Sequence, residues 1–182
     1  YSLLHAKRKD VVSLSHYREK VDRLLFRLVN YLQPAAMLEV GTGSGLSARY
    51  MAEAKHVPLC TLDGGECREE VIRLLADCPQ VDYRCGDVPH LLHRYVEEHG
   101  CPDIVHIAFT PYYKEVFEAL LPAVSSHTCF FIGLPYATKE KREWWKQVIS
   151  DPRTGVTFDL YDVGLVFFDK KRVKEHRIVN FL

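Results

Sequence analysis

Long apolar runs are missing from the sequence, and their absence excludes membrane-spanning proteins. No uninterrupted apolar stretch approaches the roughly 20 residues that a membrane-crossing helix needs. The sequence also opens without a charged-then-apolar leader followed by a small-residue cleavage site. We therefore expect a cytoplasmic protein that has no membrane partner.

An excess of charge of one sign is also missing. Lys and Arg number 24, and Asp and Glu number 24, so the chain has no broad positive field that would hold a phosphate backbone. The sequence shows no basic stretch interleaved with aromatic residues, which binding to single-stranded nucleic acid would require. We expect no nucleic-acid partner and a small-molecule partner instead; a homodimer is compatible with the sequence.

Cysteine motifs are absent as well, although six cysteines are present. None of them forms a C-x-x-C pair, the spacing typical of zinc sites and redox motifs. Several fall in apolar runs that are typical of buried strands. We expect all six to be reduced thiols in the core or on the surface, the usual state in the cytosol; they are Cys60, Cys67, Cys78, Cys85, Cys101 and Cys129.

The sequence does contain a regular alternation of strand-like and helix-like segments. An amphipathic helix is predicted over residues 17–32, where apolar residues recur at helical spacing. Five short apolar runs then follow, each succeeded by a helical segment. The predicted strands span 36–40, 58–62, 81–85, 104–108 and 128–132, and the predicted helices span 46–54, 67–77, 88–99, 113–121 and 139–150.

The last two predicted strands depart from this alternation. Residues 156–161 and 163–168 are separated only around Asp162, which is too short for a helical crossover, so we expect an antiparallel hairpin. The alternation itself predicts an α/β fold with a mainly parallel sheet and helices on both faces. We expect one domain over 1–182, with an N-terminal helical segment at 1–32 and an α/β core at 36–168.

A glycine-rich turn follows the first predicted strand. Gly41, Gly43 and Gly45 lie where an open α/β sheet places the floor of its ligand site, and glycine lets the backbone approach a ligand closely. Asp63 ends the second predicted strand and Asp87 follows the third. An acid after the second strand is suited to accept hydrogen bonds from ribose hydroxyls. The pattern therefore predicts a nucleoside-containing cofactor at this turn.

The turn allows three other interpretations. An NAD site shares the first strand and the ribose acid, but its G-x-G-x-x-G fingerprint would need glycine at Leu46. No G-x-x-x-x-G-K-[ST] sequence supports a phosphate-binding P-loop. In the third interpretation the glycines form only a tight turn, and Asp63 and Asp87 are solvated strand ends or helix caps.

With these residues in view, the chain resembles the class I methyltransferases that use S-adenosylmethionine (SAM). Leu38 to Gly45 is similar to their motif I, Asp63 to their ribose-binding acid, and Gly86-Asp87 to their adenine-side acid. The resemblance implies a seven-stranded sheet whose final strand is antiparallel. It also implies SAM as the cofactor, with contacts from Glu39, Gly41, Thr42, Gly43, Ser44, Gly45, Asp63, Gly86 and Asp87.

More narrowly, residues 25–27, 103–108 and 144–168 resemble the small catechol-type O-methyltransferases. Those relatives often hold a divalent metal ion with acids that end the fourth strand and follow the fifth. Here the aligned positions are Ala108, Ile132 and Gly133, none of which can ligate a cation. The resemblance therefore implies no metal site and a metal-independent methyltransferase that acts on an unidentified small molecule.

The chemistry of methyl transfer needs few protein groups, because the cofactor carries the driving force and the protein mainly aligns the reactants. A base is needed where the acceptor is a hydroxyl or an ammonium. By position alone the candidates are Tyr112, Tyr113, Tyr136 and His106. The alternative interpretation makes His106 a hydrogen-bonded core residue and the tyrosines packing residues at the rim of the site.

Two functions stay open on the sequence. The first is the metal-independent methyltransferase. The second is a SAM-binding but catalytically degenerate protein with a sensing or scaffold role, and the missing metal-site acids favour it. In either case we expect the helix over 17–32 to cover one edge of the cofactor, because it directly precedes the first strand.

Overall fold

The computed structural model describes residues 17–180. The part of the predicted N-terminal segment that spans 1–16 lies outside this range. The helices are α1 Glu19–Leu32, α2 Leu46–Ala54, α3 Glu69–Leu75, α4 Val88–His99, α5 Tyr113–Leu120 and α6 Lys139–Ser150, with a short 3-10 turn at Leu121–Ala123. The strands are β1 Met37–Val40, β2 Leu59–Gly64, β3 Val81–Gly86, β4 Ile104–Ile107, β5 Cys129–Gly133, β6 Thr157–Asp159, β7 Val163–Phe167 and β8 His176–Ile178.

The strands form one sheet in the order β3-β2-β1-β4-β5-β7-β6-β8. The first five strands pair in parallel, and β7 runs antiparallel to both β5 and β6. The prediction of a mainly parallel sheet with a closing hairpin is therefore confirmed. The order of the strands reverses at β1, which lies between β2 and β4. In open α/β sheets this reversal point, at the carboxyl ends of the strands, is where ligands bind.

Two details of the predicted sheet are wrong. The sheet has eight strands rather than seven, because β8 adds to the edge in parallel with β6. The antiparallel strand is consequently β7 and not the last strand. The sequence pattern failed here because β8 has three exposed residues with no apolar alternation, so only its backbone hydrogen bonds identify it as a strand.

Side chains alternate between the two faces of the sheet, and three helices cover each face. Leu38 and Val40 of β1 point into an apolar cluster with α4, α5 and α6. Met37 points into a second cluster with α1, α2 and α3. Glu39 shares the face of Met37 by the two-residue period of a strand. It is fully buried there, an unusual position for a carboxylate that calls for specific partners.

The prediction that all six cysteines are reduced is wrong for two of them. Cys67, in the loop after β2, forms a disulfide with Cys85 of β3. The two residues are 18 positions apart in sequence, but β2 and β3 are neighbours, and the Cα atoms lie 5.3 Å apart. Counting spacings along the chain could not detect a pair that strand pairing creates. Cys60, Cys78, Cys101 and Cys129 are free thiols.

Within residues 17–180 no helix is long and apolar enough to cross a membrane.

Candidate cofactor and acceptor site

The glycine-rich turn joins β1 to α2 at the reversal point of the sheet. Gly41, Gly43 and Gly45 all have positive φ angles, of 97°, 55° and 78°. The amide nitrogens of Gly41 and Thr42 both donate to the carbonyl oxygen of Leu62, at 2.8 and 3.3 Å, which ties the turn to the end of β2. Because side chains other than that of glycine are strained at such φ angles, this loop shape depends on its composition.

Two of these glycines are also required by close packing. A Cβ atom on Gly41 would lie 3.0 Å from the backbone oxygen of Phe109, just past the end of β4. A Cβ atom on Gly45 would lie 2.9 Å from a methyl group of Val71 in α3. The turn is thus pressed between the loop after β4 and the helix after β2, with no room for a side chain at either point.

Asp63 ends β2 beside the turn and is held by an arginine. Its carboxylate accepts a hydrogen bond from Arg68 at 2.9 Å, and the same guanidinium group also donates to the carbonyl oxygen of Gly43. A ribose that binds Asp63 would therefore compete with Arg68 for the carboxylate. Arg68 is not among the predicted site residues, because its role depends on the loop that brings it back over the turn.

The acid after β3 has a structural task. Asp87 is the N-cap residue of α4, and its carboxylate accepts a hydrogen bond from the amide of His90 at 2.8 Å. This is the helix-cap role that the third interpretation of the turn assigned to it. Asp87 is nevertheless exposed, and Gly86 beside it has a φ angle of 145°, so the backbone at this strand end is open to a ligand.

Below the turn, Glu39 has three side-chain partners. Its two carboxylate oxygens accept hydrogen bonds from Thr61 at 2.7 Å, from Ser47 at 2.6 Å and from the Nδ1 atom of His106 at 2.8 Å. Thr61, Glu39 and His106 are aligned across β2, β1 and β4 by the strand register. These bonds satisfy the buried carboxyl group, so Glu39 supports the site from underneath rather than facing the cavity.

The other ring nitrogen of His106 is bound by Tyr17. The Tyr17 hydroxyl lies 2.8 Å from Nε2, and the two rings are roughly parallel with centroids 5.7 Å apart. Burial and the nearby carboxylates of Glu39 and Asp22 raise the pKa of Tyr17 well above its ordinary value, so the phenol keeps its proton and donates it to Nε2. The sequence predicts Tyr17 as the first residue of a helix and indicates no functional role for it, whereas α1 begins at Glu19.

The cavity beside the turn is small. It has a volume of about 20 Å³, which is room for about one water molecule. The residues that line it come from the turn, from the start of α2, from the end of β4 and from the segment around α1: Tyr17, Asp22, Gly41, Thr42, Gly43, Ser44, Ser47, Ala108 and Phe109. The expectation that the helical segment covers this edge stays a prediction, but Tyr17 and Asp22 do border the cavity.

Comparisons with known proteins relate this geometry to a known fold. No family model matches the chain, and no curated protein matches it. Among solved structures, an O-methyltransferase from Bacillus cereus in complex with SAH has a TM-score of 0.74 at 16% identity, covering 92% of this chain and 91% of the other. The chain therefore shares the fold of this O-methyltransferase.

Two further solved structures share it. A putative caffeoyl-CoA O-methyltransferase from Staphylococcus aureus has a TM-score of 0.72 at 15% identity, with 90% of each chain covered. The O-methyltransferase TomG from Streptomyces achromogenes, in complex with SAM, has a TM-score of 0.70 at 17% identity, with 92% of this chain and 88% of the other covered. The predicted α/β fold class is thereby confirmed, apart from the strand count.

Within the O-methyltransferase fold, the ends of β4 and β5 do not fit a divalent metal ion. Ala108 has no ligating atom, and Gly133 has no side chain at all. A Cβ atom on Gly133 would meet the hydroxyl of Tyr17, so that phenol fills the space where a longer side chain would stand. Among the described residues 17–180, no group of three or more His, Cys, Asp or Glu is placed to hold a metal ion.

The three tyrosine candidates lie in different surroundings. Tyr136 donates its hydroxyl to the buried Asp159, and burial together with that hydrogen bond raises its pKa to about 12. The phenol therefore keeps its proton near neutral pH and cannot accept one from an acceptor. Tyr113 is buried with its ring 4.8 Å from that of Trp144, and Tyr112 is half-buried at the start of α5. None of the three lines the cavity beside the turn.

Lys141 is a buried cation near the end of β5 that the sequence analysis missed. Its Nζ atom donates to the carbonyl oxygen of Gly133 at 2.5 Å and lies 5.3 Å from the centre of the Tyr113 ring. Burial lowers its pKa from 10.5 to about 8. The sequence gives no sign of this burial, because it shows only that Lys141 lies in the first turn of a helix whose N-cap residue is Thr138.

The lowered pKa of Lys141 predicts a distinct dependence of stability on pH. Between pH 8 and 10.5 the unfolded chain holds a proton on Lys141 that the folded chain has released, so stability contributed at this site rises with pH. We expect the difference in unfolding free energy between the wild type and Lys141→Met to increase by about 2 kcal/mol in favour of the wild type from pH 7 to pH 10. Urea denaturation at each pH measures it.

The comparison with Lys141→Met is essential because buried thiols act in the opposite direction. Burial raises the pKa values of Cys60 and Cys101 to about 12 in the folded chain, against about 9 in the unfolded chain. The folded protein therefore loses stability at these two thiols as the pH rises above 9. Both thiols are present in the wild type and in Lys141→Met, so their contributions cancel when the two unfolding free energies are subtracted. Parallel pH curves for the two proteins would contradict a lowered pKa at Lys141.

Proposed function

We propose that the chain is a SAM-dependent methyltransferase that acts without a metal ion on a small-molecule acceptor. The observation that carries the proposal is the glycine-rich turn, which has three positive φ angles at the reversal point of the sheet and lies on the side of β2 and β3, whose carboxyl ends carry Asp63 and Asp87. The solved structures with this fold, two of them in complex with SAH or SAM, support the choice of cofactor.

In this proposal each part of the site holds one part of the cofactor. The backbone of Gly41 to Gly45, with Thr42 and Ser44, holds the methionine end, Asp63 holds the ribose hydroxyls, and Gly86 and Asp87 border the adenine. Glu39 braces the turn from below through Ser47. SAM, when bound, supplies an electrophilic methyl group, and the protein aligns an acceptor with it. The cavity beside the turn holds about one water molecule, so the methionine end of SAM can enter it only if Tyr17 moves.

Calorimetric titration with SAM and with S-adenosylhomocysteine tests the proposal directly. We expect micromolar dissociation constants that do not change when Mg²⁺ or Ca²⁺ is added, because Ala108 and Gly133 offer no ligands to a cation. A requirement for a cation would contradict metal independence alone. If neither ligand binds, the proposed cofactor site is wrong.

The ion pair between Asp63 and Arg68 allows a sharper version of the titration. Asp63→Asn should weaken SAM binding by about tenfold or more, because the charge-assisted hydrogen bonds to ribose are lost. Arg68→Met should leave SAM binding unchanged or tighten it, because the carboxylate no longer has a competing partner. Equal affinities of the wild type and Asp63→Asn for SAM would show that Asp63 does not bind the ribose.

A matched control is available on the neighbouring strand. Asp82 of β3 forms an exposed ion pair with Arg84 at 2.7 Å. Asp82→Asn makes the same chemical change in the same sheet, but in an ion pair that the proposal does not use. We expect it to bind SAM as the wild type does, so that a loss confined to Asp63→Asn reports the ribose contact.

A SAM-binding protein without catalysis is the second candidate function. The observation that favours it is the small size of the cavity, beside which the hydroxyl of Tyr17 occupies the space above Gly133 at the end of β5. A protein that only senses SAM would bind it and release no S-adenosylhomocysteine. Turnover of SAM with any purified acceptor would refute this candidate.

A further inference from the structure

The disulfide between Cys67 and Cys85 lies directly beside the proposed cofactor site. Cys85 is in β3, and the strand register places it opposite Asp63 at the end of β2. Cys67 immediately precedes Arg68, whose guanidinium group holds the Asp63 carboxylate. The disulfide therefore joins the loop that carries Arg68 to the strand that lies next to Asp63.

The disulfide can be reached from solvent. Cys67 is exposed and Cys85 is half-buried, whereas the free thiols of Cys60, Cys78 and Cys129 are buried. Exposed disulfides are the ones that exchange readily with other thiols, and shielded disulfides are the ones that resist reduction. The sulfur of Cys67 is thus the atom that an incoming thiolate reaches first.

The loop that carries Cys67, residues 65–68 between β2 and α3, has weak ties to β3 apart from the disulfide. The amide of Gly65 donates to the carbonyl oxygen of Gly86 at 3.3 Å, which is a long hydrogen bond. No described atom lies within 4 Å of a Cβ atom placed on Gly65, and glycine is the most flexible residue type. Breaking the disulfide would therefore let this loop sample many more conformations.

Arg68 stands at the end of this loop, where its own backbone is also weakly held. It is the N-cap residue of α3, but its side chain makes no capping hydrogen bond. Its amide donates to the hydroxyl of Tyr83 at 3.4 Å, another long bond. The ion pair with Asp63 is partly exposed, so its strength depends on how firmly the backbone keeps the guanidinium group within reach. The disulfide at the preceding residue provides that support.

We propose that the Cys67–Cys85 disulfide is a redox control of the cofactor site, and that its reduction raises the affinity for the nucleoside part of SAM. In the oxidised protein the disulfide keeps Arg68 on the Asp63 carboxylate, where it competes with the ribose. In the reduced protein the same ion pair costs more conformational entropy, so Asp63 is released to the ribose more readily. The inference rests on the proposed function and adds a regulation of that site.

The reductant in this control is a dithiol, and the exchange balances. One thiolate of the dithiol attacks the Sγ atom of Cys67, the disulfide bond breaks, and Cys85 leaves as a thiolate. The second thiolate of the reductant then attacks its partner sulfur and releases Cys67. Two electrons pass to the protein, the reductant becomes its own disulfide, and its two protons end on the thiols of Cys67 and Cys85.

The first test measures whether the disulfide is accessible in the folded protein. The native protein is treated with dithiothreitol and then with iodoacetamide, and the labelled cysteines are mapped by mass spectrometry. We expect Cys67 and Cys85 to be labelled without denaturant, while the buried Cys60, Cys78 and Cys129 stay unlabelled. A disulfide that opens only in denaturant would overturn the control.

The second test compares the affinities of the two redox forms. S-adenosylhomocysteine is titrated by calorimetry into the oxidised protein and into the protein kept reduced with dithiothreitol, because this ligand has the same adenosine as SAM but no sulfonium methyl group for a thiol to take. We expect the reduced form to bind about three to five times more tightly, which is the contribution of one partly exposed ion pair. Tighter binding by the oxidised form would contradict the proposal.

Two variants show whether the effect passes through this disulfide and through Arg68. Cys67→Ser/Cys85→Ser should bind S-adenosylhomocysteine as the reduced wild type does, with or without dithiothreitol. It keeps the four other thiols, so a response to the reductant in this variant would overturn the assignment to Cys67 and Cys85. Arg68→Met keeps the disulfide but has no guanidinium group, and we expect equal affinities in its two redox forms. An undiminished redox response in Arg68→Met would overturn the role of Arg68.

The outcomes separate this inference from the proposed function. If both redox forms of the wild type bind S-adenosylhomocysteine equally, the control is wrong while the cofactor site stands. If neither form binds it, the proposed function fails and the control fails with it. Should the double cysteine variant not fold, the wild type and Arg68→Met, each oxidised and reduced, still decide the proposal, because neither of these proteins loses a cysteine.

Discussion

Replacement of Gly41 by alanine is expected to lower the free energy of unfolding by about 3 kcal/mol. Two costs add in this variant. A non-glycine residue at a φ angle of 97° is strained by roughly 1–2 kcal/mol, and a Cβ atom 3.0 Å from the backbone oxygen of Phe109 adds an overpacking cost of about the same size. Urea denaturation measures the loss. Titration of the folded variant with SAM should show no binding, because the turn cannot keep its shape.

Gly65→Ala is the matched control for this variant. Gly65 also has a positive φ angle, of 74°, but nothing lies within 4 Å of a Cβ atom there. We expect it to cost about 1 kcal/mol, from backbone strain alone. The difference between the two variants then measures how tightly the turn is pressed against the loop after β4. Equal losses would contradict that close contact.

Truncation of Trp145 to alanine is expected to have the largest effect on stability, a loss of about 4 kcal/mol. The indole is fully buried in α6, and its Nε1 atom donates to the Asp159 carboxylate at 3.0 Å. The ring lies over Gly164 of β7, where a Cβ atom would be 2.6 Å from it. The truncation therefore leaves a large cavity and removes one of the donors to a buried carboxylate. Thermal or urea denaturation measures the loss.

The adjacent tryptophan provides the comparison. Trp144 is also buried, with its ring packed against those of Tyr113 and Phe117, but its indole nitrogen donates no hydrogen bond within the described part of the chain. Trp144→Ala should cost about 3 kcal/mol, at the low end for a buried tryptophan. A larger loss for Trp144→Ala than for Trp145→Ala would show that the hydrogen bond to Asp159 contributes little.

The features predicted correctly are those that neighbouring residues specify. Helical spacing and short apolar runs depend on local periodicity, so β1 to β5 and the helices that follow them were located to within a few residues. The glycine turn was identified for the same reason, because Gly41, Gly43 and Gly45 are close together in sequence and their backbone freedom is intrinsic. The closing hairpin followed from the length of the connection alone, which is too short for a crossover.

The chemistry beneath the turn was decided by pairing between distant segments. His106 is 67 positions from Glu39 and 89 from Tyr17. The register of β1 with β4 brings Glu39 to His106, and the packing of the segment before α1 brings Tyr17 to it. The sequence analysis named His106 and Glu39 separately but could not join them. Cys67 and Cys85 became partners in the same way, when β2 and β3 paired.

Local pattern thus determined which strands, helices and turn the chain would form, since propensity, periodicity and glycine content act over a few residues. The tertiary structure alone decided which buried polar groups would satisfy one another. A buried carboxylate or imidazole must find a hydrogen-bond partner wherever the packed sheet offers one, and no spacing along the chain records that choice. Packing of this kind places Tyr17 over Gly133 and Arg68 over Asp63. The backbone pairing of β8 with β6 at the sheet edge likewise depends on tertiary structure.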